Sequence, residues 1–181
     1  NRLRPEVPLS RPADLKGPSM PEYEYKTLKI EVFAKVNLSL RILGQLEGGY
    51  HSLETIFQNV SLSDTLTIKP TPGKIIVHCD SPQVPEDEHN TAHKAARMCL
   101  KRLGIRNRGV EIRIEKKIPT RAGLGGGSAD AAGVIIACER LFGALPGGAS
   151  TRYALAAKVG ADVPFMLCGG RALAWGIGER M

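Results

Sequence analysis

Glycine dominates the segment from Ile118 to Gly133, which reads Ile-Pro-Thr-Arg-Ala-Gly-Leu-Gly-Gly-Gly-Ser-Ala-Asp-Ala-Ala-Gly. Between Gly123 and Gly127 four glycines lack a Cβ, so the backbone can adopt positive φ and turn its N–H groups around an anion. Ser128 then stands at the expected N-cap of a helix that continues through an alanine-rich run. Because a helix N-terminus adds positive potential, the pattern predicts a loop that binds a polyphosphate.

Two better-known glycine loops are excluded by the same residues. A Walker A loop requires a lysine directly before its Ser or Thr, and no lysine precedes Ser128. The dinucleotide fingerprint G-x-G-x-x-G meets Ser128 or Asp130 where its third glycine should stand. The remaining alternative is a tight structural turn, which four glycines within five positions would weaken without benefit.

The predicted elements place this loop between a strand and a helix. Alternating apolar residues predict strands at Leu28–Val32, continuing through Leu38–Ile42, and at Leu66–Ile68, Ile75–Val77, Val110–Ile114 and Leu173–Gly176. Helical spacing and capping residues predict helices from Asn90 to Gly104, from Ala129 to Gly143 and from Ser150 to Gly160. This order of elements predicts an α+β or mixed α/β domain.

Bulk composition narrows the class of protein. A chain of 181 residues with 43% hydrophobic and 24% charged residues is typical of one globular domain. No apolar run approaches the ~20 residues that a membrane-spanning helix needs, and the net charge of +7 suits an anionic ligand. The four cysteines are widely spaced, so we expect reduced thiols, with Cys99 and Cys138 in the core.

The first 19 residues differ from the rest of the chain. Four prolines and no apolar periodicity fall between Asn1 and Ser19, and no apolar stretch of a signal peptide is present there. We expect a disordered leader, or a segment added for expression, over residues 1–19 and a folded domain over residues 20–181.

Three further stretches extend the glycine loop into a family pattern. They are Phe33-Ala34-Lys35-Val36-Asn37-Leu38, Gly48-Gly49-Tyr50-His51 and Gly160-Ala161-Asp162-Val163-Pro164-Phe165. Together with the loop, and in this order, they resemble the 4-diphosphocytidyl-2-C-methyl-D-erythritol kinases, a family of the GHMP kinase superfamily. The resemblance runs from about Lys29 to Glu179.

That resemblance implies a reaction, a fold and a location. The reaction is transfer of the γ-phosphate of ATP, with Mg²⁺, to the 2-hydroxyl of a cytidine-containing methylerythritol substrate in non-mevalonate isoprenoid synthesis. The implied fold is the α+β N-terminal domain of GHMP kinases, which resembles the second domain of ribosomal small-subunit protein five. The family continues with a ferredoxin-like domain that we expect to be absent here, making this chain alone a weak or inactive kinase. A cytoplasmic location is expected, without a nucleic-acid or membrane partner.

The resemblance also assigns roles to residues. Asp162 matches the catalytic aspartate that accepts the proton of the substrate hydroxyl, and Lys35 matches the lysine that holds this carboxylate ionised. Asn37, two residues along the same strand, would face the same side and bind erythritol hydroxyls. Tyr50 would stack on cytosine, and His51 would bond the base edge.

ATP contacts follow from the loop. Ser128 offers a hydroxyl to Mg²⁺ or a phosphate oxygen, and Asn90 matches a position beside adenine. A Cβ at Gly126 is expected to stand where phosphate approaches. The complete set of expected ATP-binding residues is Asn90, Pro119, Ala122, Gly123, Leu124, Gly125, Gly126, Gly127, Ser128 and Ala129.

Structural roles are the alternative for each of these side chains. Asp162 could cap the short segment that follows it, and Asn90 could serve only as an N-cap. Lys35 could be a solvated surface lysine. Tyr50 and His51 could be turn residues.

Two other functions fit part of the sequence. An RNA-binding module would explain the basic charge, but it requires exposed aromatics among Lys and Arg, and aromatic residues make up only 5% of the chain. Another GHMP small-molecule kinase, such as a mevalonate or homoserine kinase, would share the loop. Tyr50 and His51 discriminate, because only a cytidine-containing substrate needs a base pocket.

Overall fold

Five strands form one sheet in the part of the chain that the computed structural model describes, residues 26–45 and 51–180. The elements in chain order are β1 (Leu28–Gln45), β2 (His51–Pro72), β3 (Ile76–Cys79), α1 (Thr91–Arg102), β4 (Arg108–Glu115), α2 (Gly126–Phe142), α3 (Gly148–Val159), α4 (Val163–Cys168) and β5 (Arg171–Gly176). The expected leader over residues 1–19 and the candidate Tyr50 lie outside the described residues. The mixture of strands and helices confirms the expected α+β class.

The long strand β2 organises the sheet. One edge of β2 pairs antiparallel with β1 along most of its length. Its other edge pairs antiparallel with β5 over Leu53–Gln58 and with β4 over Thr65–Pro72. β3 then adds to β4 in parallel. The connection from β4 to β5 carries the glycine loop and three helices, so β2 fixes where that connection starts and ends.

The core lies between the sheet and the helices. Its strand side includes Leu66, Ile68 and Ile112, all fully buried, and its helix side includes Val134 and Ile135 of α2. α2 is buried over most of its circumference, as its apolar sequence predicts. Cys99 and Cys138 are free and buried, which confirms that these core cysteines are not paired.

β1 and β2 are longer than the sequence predicts. The strand that contains Leu66–Ile68 begins already at His51. The sequence does not predict this early start, because the residues before Leu66 mix polar and apolar side chains without clear alternation. β1 runs unbroken to Gln45, with register shifts between Phe33 and Lys35 and again between Asn37 and Ser39. These irregularities re-aim the side chains of the two polar residues that they enclose.

Membrane insertion finds no support among the helices of the described chain. None of those helices is both long enough and apolar enough to cross a bilayer.

Candidate active site

A cleft of about 530 Å³ opens over the glycine loop, on the side of the first turn of α2. Its walls come from the start of α1, from the segment after β4, from β1 and from the residue before α4. The lining residues are Lys35, Gln83, Val84, Pro85, His89, Asn90, Thr91, Lys116, Pro119, Thr120, Arg121, Ala122, Gly123, Leu124, Gly125, Gly126, Gly127, Ser128, Asp130 and Asp162. Ala129 is the one expected ATP-binding residue that does not line it; this residue is buried.

The loop turns through two glycines in the left-handed region. Gly123 has a φ of 73° and Gly125 a φ of 71°, which residues with a Cβ adopt only under strain. The chain is therefore already helical at Gly126, and Gly125 is the N-cap of α2. The expectation that Ser128 is the N-cap is wrong. Ser128 instead lies in the first turn, with its half-buried side chain on the cleft.

At Gly125, Gly126 and Gly127 an added Cβ would meet a different neighbour in each case. A Cβ at Gly125 would collide with the methyl of Met166 and stand 3.2 Å from Cγ of Lys35. A Cβ at Gly127 would lie 3.1 Å from the hydroxyl of Thr91. A Cβ at Gly126 would meet Nζ of Lys116 at 2.8 Å. An added side chain at Gly126 would therefore point toward Lys116 and Ile118, and the approach of phosphate to this position stays a prediction.

Lys35 and Asp162 face one another across the cleft. Nζ of Lys35 lies 3.4 Å from Oδ2 of Asp162, and the two side chains are 8% and 29% exposed. The backbone N–H of Lys35 donates to the carbonyl of Leu124 at 2.9 Å, which ties the lysine strand directly to the glycine loop. The structure thus brings the expected proton acceptor, its lysine and the expected phosphate loop into one site.

The structural alternatives for this pair do not hold. Asp162 occupies the N-cap position of α4, but its side chain makes no capping hydrogen bond. Lys35 is buried rather than solvated, and its ammonium also lies 4.9 Å from the ring centroid of Phe57. Burying a lysine is costly unless it is paired and hydrogen-bonded, and here Asp162 and Asn37 provide the pair and the hydrogen bond.

Asn37 continues the polar chain along β1. Nζ of Lys35 donates to Oδ1 of Asn37 at 2.8 Å, which confirms that the two side chains share a face. Nδ2 of Asn37 donates to the hydroxyl of Thr55 at 2.7 Å, and that hydroxyl donates to the carbonyl of Ser39 at 2.6 Å. Thr55 was not predicted, and it fixes the amide orientation of Asn37.

Asn90 serves as the N-cap of α1, which confirms that part of the prediction. Its Oδ1 accepts from the N–H of Ala92 at 2.8 Å, and its Nδ2 donates to the carbonyl of Pro85 at 2.7 Å. The next residue, Thr91, donates its hydroxyl to the carbonyl of Gly127 at 2.7 Å. This end of α1 therefore holds the loop in place, and the contact of Asn90 with adenine stays a prediction.

His51 lies apart from the cleft. It is exposed at the first position of β2 and pairs with Gln45. Eight residues separate His51 from Asn59, the partner of Lys35 in the sheet, which corresponds to about 26 Å along a strand at ~3.3 Å per residue. The structure does not bring His51 to the Lys35–Asp162 pair, and its contact with cytosine stays a prediction.

A buried ionic cluster lies beneath the loop, and the sequence patterns do not predict it. Nζ of Lys116 lies 2.5 Å from Oδ2 of Asp64 and 2.8 Å from Oδ2 of Asp130. Burial lowers the pKa of Lys116, but the two carboxylates outweigh burial and raise it overall. For Asp130 burial dominates over the lysine and raises the pKa to about 7. The signal for this cluster in the sequence is a charged residue in line with the apolar face of β2, of β4 and of α2.

Comparison with known proteins finds similar sequences in one family. The model of the GHMP kinases N terminal domain matches residues 90–170, which include the glycine loop and Asp162. A relative from Clostridium botulinum strain Eklund 17B, named 4-diphosphocytidyl-2-C-methyl-D-erythritol kinase, is 43% identical over 154 residues. The match covers 85% of this chain and 54% of that relative.

Solved structures agree with this match. A crystal structure of a 4-(cytidine 5'-diphospho)-2C-methyl-D-erythritol kinase is 42% identical and superposes with a TM-score of 0.70, covering 84% of this chain and 53% of that one. The mevalonate kinase of Methanococcus jannaschii shares the fold at a TM-score of 0.62, with 20% identity and coverage of 85% and 54%. The chain spans about half the length of the curated relatives that it matches.

Proposed function

We propose that this chain belongs to the GHMP kinases through their N-terminal domain, that it binds ATP and that it supports phosphoryl transfer to a hydroxyl. The proposed acceptor is the 2-hydroxyl of 4-diphosphocytidyl-2-C-methyl-D-erythritol, the compound in the name of its relatives. The observation that carries the proposal is the Lys35–Asp162 pair, 3.4 Å apart beside a glycine loop at the start of a helix.

The loop supplies the site for the phosphates of ATP. Its backbone N–H groups lie at the N-terminus of α2, where the helix dipole favours a negative charge. Phosphoryl transfer depends mainly on positioning and on stabilising charge. The 2.9 Å bond from the Lys35 N–H to Leu124 is therefore important, because it sets the distance between the phosphates and the acid–base pair.

Asp162 and Lys35 act on the acceptor hydroxyl. The hydroxyl oxygen forms a bond to the γ-phosphorus while the bond from that phosphorus to the β–γ bridging oxygen breaks, which releases ADP. The hydroxyl proton passes to Oδ2 of Asp162. Lys35 pairs with Asp162 at 3.4 Å, and Asn37 holds the ammonium of Lys35 at 2.8 Å.

The cleft suits Mg²⁺ as the partner of ATP. Mg²⁺ prefers oxygen ligands and usually binds through one or two protein groups together with substrate phosphates. Ser128 offers such an oxygen on the cleft, close to the segment of Asp162, since a Cβ at Gly160 would lie 3.9 Å from its hydroxyl. Ser128 would hold the ion, which would neutralise part of the phosphate charge.

We further propose that the protein is cytoplasmic.

The test is a titration followed by a turnover assay. Calorimetry with Mg-ATP on the 181-residue chain should show binding, and Lys69→Met, which removes a lysine from a distant ion pair, should bind equally well. ADP release should then be measured with 4-diphosphocytidyl-2-C-methyl-D-erythritol, mevalonate and homoserine, on this chain and on a protein of the relatives' full length that contains it. Release with the cytidine compound alone supports the proposed acceptor.

Other outcomes separate the parts of the proposal. Release with mevalonate or homoserine would keep the kinase and replace its substrate. Absence of ATP binding, together with absence of ADP release in both proteins, would overturn the proposed function. We expect the longer protein to have the higher kcat/KM.

A further inference from the structure

The buried cluster of Lys116, Asp64 and Asp130 joins the three elements that surround the glycine loop. Asp64 lies on β2, Lys116 directly follows β4, and Asp130 lies in the second turn of α2. The side chains of Asp64, Lys116 and Asp130 are 0%, 6% and 3% exposed. One ammonium therefore connects the strand before the loop, the helix after it and the central strand of the sheet.

Asp64 also holds the beginning of the loop. Its Oδ1 accepts hydrogen bonds from the backbone N–H groups of Lys117 and Ile118, at 2.6 Å and 2.8 Å. Bonds from N–H groups to a carboxylate are stronger and more directional than those between neutral groups. The backbone path into the loop is thereby fixed immediately before Pro119.

Lys116 also holds the end of the loop. Gly126, the first helical residue after the loop, packs so closely on Lys116 that an added Cβ would stand 2.8 Å from Nζ. Nζ reaches Asp130, one turn further along α2. The same cluster therefore holds both ends of the segment 119–125.

Stability alone does not account for this cluster. Removing two carboxylates and an ammonium from water costs about as much as their attraction returns, and apolar residues of similar volume often stabilise a protein as well or better. The neighbours in sequence of Lys117 and Asp130, Ile118 and Ala129, are buried apolar residues, so an apolar cluster would fit the local composition. What the ions add is a fixed geometry between elements far apart in sequence.

We infer that Lys116 is a positioning residue for the phosphate loop, acting through Asp64 and Asp130 to set the spacing of its two ends. The inference rests on the proposed ATP-binding function. Removal of the lysine should keep the backbone N–H groups of the loop but shift their positions. A displacement of about 1 Å can lower the rate of a positioned reaction by up to ~10²-fold.

The experiment compares the Mg-ATP affinity of folded variants by calorimetry, with the melting temperature of each. Lys116→Met should bind at least about tenfold more weakly, and the matched control Lys69→Met should stay within about twofold of the parent. The double variant Lys116→Met with Asp130→Leu replaces the ion pair by apolar side chains and should recover the melting temperature. Its affinity should remain low.

Three results would overturn the inference. If affinity returns in the double variant together with its melting temperature, the cluster acts only through stability. If Lys116→Met binds like the parent, the lysine positions nothing. If Lys116→Met does not fold, Asp130→Asn keeps the shape and weakens one bond; equal affinity to Lys69→Met then counts against us. Failure of the parent itself to bind ATP would remove the proposed function, and this inference with it.

Discussion

The two ends of the β1–β2 hairpin differ in which side chains they bury and which they expose. At the inner end, beside the glycine loop, the polar residue Lys35 is buried and hydrogen-bonded, together with the apolar residues Val32 and Ala34. At the outer end apolar residues are exposed: Leu40 by 55%, Leu43 by 56% and Ile42 by 68%. A buried lysine and a run of exposed apolar side chains are the two unusual features of this pair of strands.

The difference comes from what packs on each end. α2 and α4 both contact β1, and Phe165 of α4 stacks on Phe57 of β2 with ring centroids 4.8 Å apart. Beyond Asn37 every residue of β1 is exposed. Cover at the inner end lets a lysine act in a site of restricted water, where its charge has a stronger effect. We therefore expect equal substitutions at the two ends to have unequal effects.

The largest difference is expected for carboxylates. Asp162→Asn keeps the shape but removes the proton acceptor at the inner end, so kcat should fall by ~10²–10⁴-fold with little change in KM. Glu54→Gln, in an exposed pair with Arg41 at 3.5 Å, is the matched control and should stay within about twofold. Steady-state ADP release measures both. A loss below about tenfold for Asp162→Asn would leave it without a chemical role.

The next largest difference concerns stability. Phe57 is 2% exposed and packs against Phe165 and Lys35, so Phe57→Ala should lower the free energy of unfolding by ~3–5 kcal/mol. Ile42→Ala at the outer end should change it by less than ~0.5 kcal/mol. Urea unfolding of both variants provides the measurement. Similar losses at the two positions would mean that the outer end is covered in solution.

A smaller difference separates two glycines of the loop. Gly123 and Gly125 share the left-handed conformation, so alanine at either should cost ~1–2 kcal/mol. Only at Gly125 would the new Cβ meet side chains, those of Met166 and Lys35, whereas at Gly123 nothing lies within 4 Å. Gly125→Ala should therefore also reduce kcat, while Gly123→Ala should not. Equal kcat in both variants, by the same ADP assay, would contradict this account.

Local patterns in the sequence were sufficient for several elements. Capping and periodicity predict α1 from Asn90 to within a residue or two, and the apolar character of α2 predicts its burial. Only the family motifs predict the Lys35–Asp162 pair, since the two residues lie 127 positions apart in the chain and no local rule joins them. Their proximity depends on the pairing of β1 with β2 and on the packing of α4.

Other features depend on tertiary contacts that no local pattern carries. Ser128 has the residue type of an N-cap, but a left-handed Gly125 starts the helix earlier. Asp64 lies on β2, Lys116 just after β4 and Asp130 on α2, so their cluster exists only in the folded chain. The exposure of Leu40 and Ile42 likewise reflects missing cover rather than sequence alternation. Periodicity predicts an apolar face and does not predict what covers it.

The smallest expected effect concerns a buried polar atom that has no hydrogen-bond partner in the described part of the chain, unlike the buried lysine at the inner end. Nδ1 of His93, on α1, is buried and has no hydrogen-bond partner among the described residues. Burial, and then the charge of Arg97, lower the pKa of His93 below its usual 6.5, although Glu88 and Asp87 oppose this. Other cations line the same surface pocket: Lys74, Lys101, Arg106 and Arg108.

The sign of the pH effect follows from this depressed pKa. As the pH falls below 6.5 the unfolded chain takes up a proton at His93 more readily than the folded chain, so stability present above pH 6.5 is lost as the pH falls through the folded pKa. His93→Phe keeps a ring and removes this titration. The parent should therefore lose more melting temperature than the variant between about pH 7.5 and pH 5.5, a window that brackets the ordinary pKa of histidine. Parallel losses would show that His93 gains a partner in solution, which would place it with the bonded polar groups of the inner end.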